Sequence, residues 1–547
     1  MTAEITTLLA RQRYFDALQL SVELLKQFDS VSEGDRLRQT DEIACLDVVV
    51  TCLHALKMGP QAERYVIRLC TLQQKAGLPE VALQTLQTGI NNNLQGSGLF
   101  LQAGILQQQQ GRKADALRCF NRVLELDPFN ASAHNNVAAL LHEKKSDASA
   151  AEYHFQQAIA IKQDFLECLN NYAVFLQDNF RHNEAVLAFK KVISLQPDFK
   201  SARLNLGSAL MALGLFAEAE QSYKDALAIE PDYTEARFNL GMCQLSQAKM
   251  LEGAQNYEAR YFFDADRTKI KPPVYPFPRW QGQPLTGKRL LIWPEQGLGD
   301  QIMCVGFIRQ LKQLAGLAHV VVVCSPALKS LFSRISFVDV VAVEADAIPR
   351  CDYWTCTMSL PYATALLGAE KFDNDVWIQA DKTQLPDLGF PHHLHVGLCL
   401  KGSKTYAGDL TRSFNLSAYD LFRRLNGIKL YTLLPQTRDE FLSWAGESGV
   451  DIGHEIDQGG SPFEETAALI SALDVVVTSD TSIAHLSVAL GRPTFLALQF
   501  AGEWRWAIHP ARDSGPLRVY QQNHPDDWSD PVQSIFLDLQ RLARSKY

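Results

Sequence analysis

The chain repeats itself every 34 or 35 residues through much of its first half. A small residue recurs at Gly104, Ala138, Ala173, Gly207 and Gly241, and an aromatic one at Phe120, Phe155, Phe189, Tyr223 and Tyr257. Pro128, Pro197 and Pro231 close the units, with Gln163 in the equivalent place of the second. A unit of this length holds two antiparallel helices and must stack on its neighbours to bury its apolar face. The small residue lets the first helix approach closely, and the aromatic fills the gap between stacked pairs. Proline then ends the second helix, having no N–H to continue it. The pattern is strong over residues 97–262. Upstream, "RYFDALQLSVELL" and "PEVALQTLQTGI" keep the helical period without the other marks, so residues 1–95 read as degenerate repeats of one solenoid spanning 1–265.

This period and these marks resemble the tetratricopeptide repeat. Composition narrows the rest. With 47% hydrophobic and 21% charged residues, the 547-residue chain can bury large cores, and its length suggests three or four domains. A net charge of −9 argues against a nucleic-acid partner. No stretch approaches the roughly 20 apolar residues that span a bilayer. Residues 1–20 mix acids and bases without an apolar core, so no signal peptide is expected and a cytoplasmic location is. The eleven cysteines form no C-x-x-C pair, and Cys351 and Cys356, the closest two, have no histidine motif beside them. They read as reduced thiols, with no metal site.

Two residues before each small residue stand Gln102, Asn136, Asn171, Asn205 and Asn239. An amide side chain offers both donor and acceptor, so Asn136, Asn171, Asn205 and Asn239 can grip the backbone of an extended protein acceptor. The alternative is that they tie neighbouring repeats together. The row resembles the asparagine ladder of the O-GlcNAc transferase superhelix, which holds protein substrates.

After Tyr257 the period changes. Residues 266–287, "DRTKIKPPVYPFPRWQGQPLTG", are rich in Pro and Gly and read as an extended linker. Gly282-x4-Gly287-Lys288 nearly matches a phosphate loop, but Arg289 replaces the Ser/Thr and the segment precedes a strand. From Lys288 short apolar strands alternate with helical patterns: "RLLIWP", "HVVVVC" and "VDVVAV", then "HVGLCL", "IKLYTLL", "DVVVTS" and "PTFLAL". Such runs imply parallel sheets covered on both faces. The expected fold is therefore an α/α solenoid followed by two facing doubly wound α/β domains, at 288–390 and 394–520. Residues 528–547 read as a closing amphipathic helix. Paired doubly wound domains offer their strand C-termini to a ligand cleft.

Three clusters could carry chemistry there. In "EQGLGDQ" after the first strand, Gly299 permits a tight reversal, and Asp300 can either cap the following helix or take a proton from an acceptor hydroxyl. In "TSDTSIAHLSVALGRP", Asp480, Thr481 and Ser482 precede a helix whose N-terminus suits a pyrophosphate, with His485 on its first turn. After "HVGLCL" come Lys401 and Arg412, which can neutralise a departing nucleotide.

Together, "EQGLGDQI", "LTRSFNL" and "SALDVVVTSDTSIAHLSVALGRP…WRW" resemble the glycosyltransferase family 9 (heptosyltransferase) type of GT-B domain, and more specifically the bacterial tetratricopeptide-repeat proteins that carry one. The resemblance implies a metal-independent glycosyltransferase with Asp300 as base. At matching positions it implies a nucleotide-sugar diphosphate site at Asp480, Thr481 and His485 with Arg412 as the basic residue; Gly299, Gln301, Lys401 and Ser482 complete the expected nucleotide-sugar site, with no cofactor beyond the nucleotide-sugar itself. Lys401 departs from the family pattern, so heptose does not carry over. The expected reaction is sugar transfer to Ser/Thr of a protein, flagellin by analogy with flagellin-modifying enzymes. A lipopolysaccharide-type acceptor and a non-catalytic scaffold are the alternatives.

Overall fold

The computed structural model describes residues 2–29, 36–145, 147–263, 274–369, 376–399, 416–433, 438–451, 462–509, 515–525 and 527–546. The chain forms two compact units, residues 1–199 and 200–547.

The first unit is entirely helical where described, from Thr2–Ala10 to His182–Leu195. The degenerate segment folds as the helices Tyr14–Asp29, Arg36–Ala55, Gly59–Lys75 and Pro79–Asn91. Its core residues Val66, Leu69 and Leu86 pack with Leu99, Ala103 and Leu106 of the first clear repeat, so one apolar interior runs through both. The small–aromatic pairing works within a repeat: a Cβ added at Gly104 would meet the Phe120 ring at 2.5 Å. Phe120, Phe155 and Phe189 are fully buried.

The second unit starts inside the array. It holds the helices Lys200–Ala212, Phe216–Ile229, Thr234–Ser246 and Met250–Tyr257, then a 3-10 turn Glu258–Phe262. These last repeats belong with the α/β region because Leu245, Met250, Ala254 and Tyr257 share one core with Ile302, Phe307 and Leu360.

Two parallel sheets follow. The first comprises β1 (Arg289–Trp293), β2 (His319–Val323), β3 (Val340–Ala342) and β4 (Tyr353–Cys356), in the order β3-β2-β1-β4. The second comprises β5 (Leu394–Cys399), β6 (Ile428–Thr432), β7 (Val475–Ser479), β8 (Thr494–Leu498) and β9 (Leu517–Gln521), in the order β6-β5-β7-β8-β9. All pairs are parallel. The central runs Val320–Val323 and Val475–Ser479 are buried throughout, as sheets covered on both faces require. Strand order reverses beside β1 in the first sheet and beside β5 in the second. Each reversal opens a crevice at the strand C-termini where ligands bind in folds of this kind.

Three local expectations change. β4 and β9 lack the continuous apolar run of the other strands and were not apparent from sequence. The helical pattern expected between β5 and β6 is, among the described residues, two 3-10 turns, Leu416–Tyr419 and Phe422–Arg424. Tyr419, at the end of the first, and Phe422, at the start of the second, are both fully buried with ring centroids 4.5 Å apart. Of the linker, residues 264–273 lie outside the described part, and the remainder pairs with a sheet edge. The Trp280 N–H donates to the Trp354 carbonyl at 2.8 Å, and the Trp354 N–H to that of Pro278 at 3.1 Å, which covers the free side of β4. The closing helix Ser529–Ser545 packs Val532, Ile535 and Leu539 on the second sheet.

Candidate functional site

The turn after β1 is held from three directions. Glu295, buried, accepts from Arg260 Nη2 at 2.7 Å and from the Met358 N–H at 2.9 Å. Arg260 is itself fully buried and also pairs with Glu258 at 2.6 Å. Burial alone would lower the pKa of this guanidinium, but Glu295, Tyr261 and Glu258 outweigh burial and hold it well above its ordinary value. Gln296 follows in the left-handed region, with φ of 62°. Its Nε2 donates to the Tyr257 hydroxyl at 2.8 Å, and its Oε1 accepts from Arg505 Nη2 at 3.0 Å.

Asp300 lies in the first turn of the helix Leu298–Val305. Its Oδ2 accepts from the Gly297 N–H at 3.1 Å, the capping interaction, while its Oδ1 accepts from Arg505 Nε. A carboxylate has about four lone-pair sites, so two remain for an incoming group. Gly299 allows the next element to come close. A Cβ there would stand 3.0 Å from His485 Cδ2 and 3.2 Å from Ser482 Cα, so the starts of the helices Leu298–Val305 and Ser482–Ala489 meet at this glycine.

From the second sheet, β7 delivers Asp480, Thr481 and Ser482 to the same place. Asp480 Oδ1 accepts from Trp506 Nε1 at 2.8 Å. Thr481 is the N-cap in an extended conformation, but its hydroxyl turns to Thr478 Oγ1 at 3.1 Å instead of back to the helix. The helix N–H groups are therefore not capped by that hydroxyl. His485 is buried and stacks flat on Trp506, centroids 4.3 Å apart and planes 6° apart.

The structure adds groups that sequence reasoning missed: Glu503, Arg505 and Trp506, on and before the helix Trp504–Ala507. Their signal was a charged pair set among tryptophans, "EWRW". Arg505 Nη1 pairs with Glu503 at 2.5 Å, and its guanidinium lies 4.9 Å from the Trp504 ring centroid. Burial would lower the Arg505 pKa, but Asp300 and Glu503 hold it well above its ordinary value. Burial, aided by Asp480 and Asp300, raises the Glu503 carboxyl against the opposing pull of Arg505. One guanidinium thus serves carboxylates from both sheets.

Other expected site residues fall elsewhere. Gln301 exchanges two bonds with Ser325, donating to its Oγ and accepting from its N–H, both at 2.9 Å, so its amide fastens the loop after β2. Lys401 and Arg412 lie outside the described residues. In the first unit, Asn136 and Asn171 are half-buried, and Asn171 Nδ2 donates to Asn135 Oδ1 of the preceding repeat at 3.1 Å. Asn205 and Asn239 are half-buried in the second unit. All eleven cysteines are free thiols, and burial raises the pKa of Cys70 and Cys168 to about 12. Among the described residues, no group of three His, Cys, Asp or Glu is placed to hold a metal, and no helix is long and apolar enough to cross a membrane.

The tetratricopeptide repeat family matches residues 101–164, 176–234 and 204–261, so the helices of that stretch are tetratricopeptide repeats. Protein FlbA of Caulobacter vibrioides is 28% identical over 271 residues, 44% of this chain and 43% of FlbA. The match therefore spans less than half of that relative. Among solved structures, MamA is 23% identical over 29% of this chain and 92% of its own, with a TM-score of 0.27. YrrB, described as a TPR protein with an unusual peptide-binding site, is 18% identical over 31% of this chain and 88% of its own, with a TM-score of 0.28. A tetratricopeptide repeat protein from Parabacteroides merdae is 15% identical over 47% of this chain and 95% of its own, with a TM-score of 0.36.

Proposed function

We propose that the chain is a metal-independent glycosyltransferase of the GT-B kind, moving a sugar from a nucleotide-sugar to a Ser/Thr hydroxyl of a protein brought in by the repeats. The observation that carries this reading is the meeting of Asp300 with the start of the helix Ser482–Ala489 at Gly299, where the C-terminal ends of two parallel sheets converge. A carboxylate with open lone pairs can take the hydroxyl proton as the new bond forms. The N–H groups and positive end of a helix suit the departing diphosphate. Lys401 and Arg412, which follow β5 in the sequence and lie outside the described residues, would add positive charge. Repeat solenoids present extended binding surfaces, which suits a protein acceptor better than a small glycan.

Flagellin is the acceptor to test first. Co-expression with flagellin followed by intact-mass measurement should show a sugar increment that disappears with Asp300→Asn. No increment on any co-expressed acceptor, with no nucleotide bound, would sink the reading. One observation favours a second reading, a repeat scaffold without turnover: Asp300 is already paired with Arg505.

A further inference from the structure

Asp300 is fixed at both oxygens, by the Gly297 N–H on one side and by Arg505 Nε on the other. The guanidinium that fixes it is fixed in turn. Its Nη1 holds Glu503, its Nη2 holds Gln296, and it lies against Trp504, which is 4% exposed and packs 5.5 Å from Tyr257 between ring centroids. Arg505 also comes from the second sheet's side of the crevice and Asp300 from the first, 205 positions apart in the chain. An aspartate side chain has two rotatable bonds, and a cap bond to one oxygen leaves the other free to swing. The second, charge-assisted bond removes that freedom.

We infer that Arg505 is a positioning residue, which aims the Asp300 carboxylate at the acceptor hydroxyl and acts on the reaction only through Asp300. This rests on the glycosyltransferase reading above. The balance of the step is unchanged by it: the hydroxyl proton passes to Asp300, the oxygen bonds the sugar carbon, and the bond to the nucleotide phosphate breaks. Arg505 donates throughout and transfers nothing. Because an aimed base contributes only when the hydroxyl attacks, its loss should reduce kcat and leave donor KM alone.

The test is a mutant cycle in the full-length protein, assayed by nucleotide release from UDP-, GDP-, ADP- and CMP-linked sugars with flagellin present. Calorimetry with UDP, GDP, ADP and CMP runs alongside. Arg505→Met should lower kcat by about 10²-fold, the scale of a misplaced catalytic group, with donor KM and nucleotide Kd within about twofold of wild type. Asp300→Asn combined with Arg505→Met should be no slower than Asp300→Asn alone. If Arg505→Met does not fold, Arg505→Lys keeps the charge without the planar donor pair and should lower kcat partway with the same unchanged KM. Wild-type kcat in both variants would overturn the proposal, as would multiplication of the two effects in the double variant. Loss of nucleotide binding in Arg505→Met would make the guanidinium a phosphate ligand and also overturn it. A wild-type protein that binds none of the nucleotides and turns over no donor would remove the functional reading first, and this inference with it.

Discussion

The imidazole of His485 lies flat against the indole of Trp506, centroids 4.3 Å apart, while the same indole donates its N–H to Asp480 at 2.8 Å. Two residues of the D-T-x-x-x-H run are therefore organised by one buried tryptophan. Trp506→Phe keeps an aromatic face but deletes the donor. A lost hydrogen bond to a charged acceptor should cost about 1.5–3 kcal/mol, read from urea denaturation. An unchanged midpoint would mean that water replaces the indole at Asp480.

Asp300→Asn is nearly isosteric but keeps a single acceptor oxygen, so it retains only one of the two bonds that Asp300 accepts from Gly297 and Arg505. The fold should persist by circular dichroism while sugar transfer falls by about 10²–10⁴-fold, the usual worth of a general base. A soluble variant with near wild-type transfer removes Asp300 from the mechanism.

Gly299→Ala places a methyl group 3.0 Å from His485 Cδ2 and 3.2 Å from Ser482 Cα. One of these neighbours is backbone, so the contact is not relieved by a rotamer change. Thermal unfolding should show a loss of about 1–3 kcal/mol, typical of overpacking. Nucleotide affinity should fall with it, since the two helix starts are pushed apart. Wild-type stability and affinity together would show that the two helix starts accommodate the methyl group.

His509 is buried, and burial pushes its pKa down to about 4 from the ordinary 6.5. The unfolded chain therefore takes up this proton at a higher pH than the folded one. Stability from this group is complete above pH 6.5 and is lost as pH falls from there towards 4, by about 3 kcal/mol in all. His509→Gln should flatten the stability profile across that window. Denaturation midpoints measured between pH 4 and 7.5 check it; equal slopes in the two proteins would show that His509 titrates normally.

The asparagine row separates a protein acceptor from a small one. Replacing Asn136, Asn171, Asn205 and Asn239 by Ala removes the Asn171–Asn135 bond, worth about 1 kcal/mol, while Ala is the better helix former at each position. Unfolding should shift little. Donor hydrolysis should be unchanged and KM for flagellin should rise. Full transfer efficiency in the quadruple variant would make the row structural, as the Asn171 bond already is.

Features that repeat or alternate were legible in the sequence. Gly104 announces its contact with Phe120 because the pair recurs at a fixed period, and the valines of β2 announce a sheet covered on both faces. Asp300 and Asp480 were legible because each follows a strand at a turn. Arg505 was not: its partner lies 205 residues away, and a single charge between two tryptophans has no period. Gln301, expected at the nucleotide-sugar site, stands next to Asp300 on the helix, but adjacent residues there point about 100° apart, and its amide turns to Ser325.

The buried Arg260 bears on how this protein could be taken apart. It belongs to the end of the repeat array, yet its strongest partner, Glu295, lies in the turn that carries Asp300. Chain cleavage in the linker between them, followed by removal of the array, would leave Glu295 as an uncompensated charge in a dry interior, a loss of about 3–5 kcal/mol. The last repeats are thus not a detachable adaptor that could be exchanged for one of different specificity. Shuffling of recognition modules would have to occur upstream, leaving Met250–Phe262 with the sheets it braces.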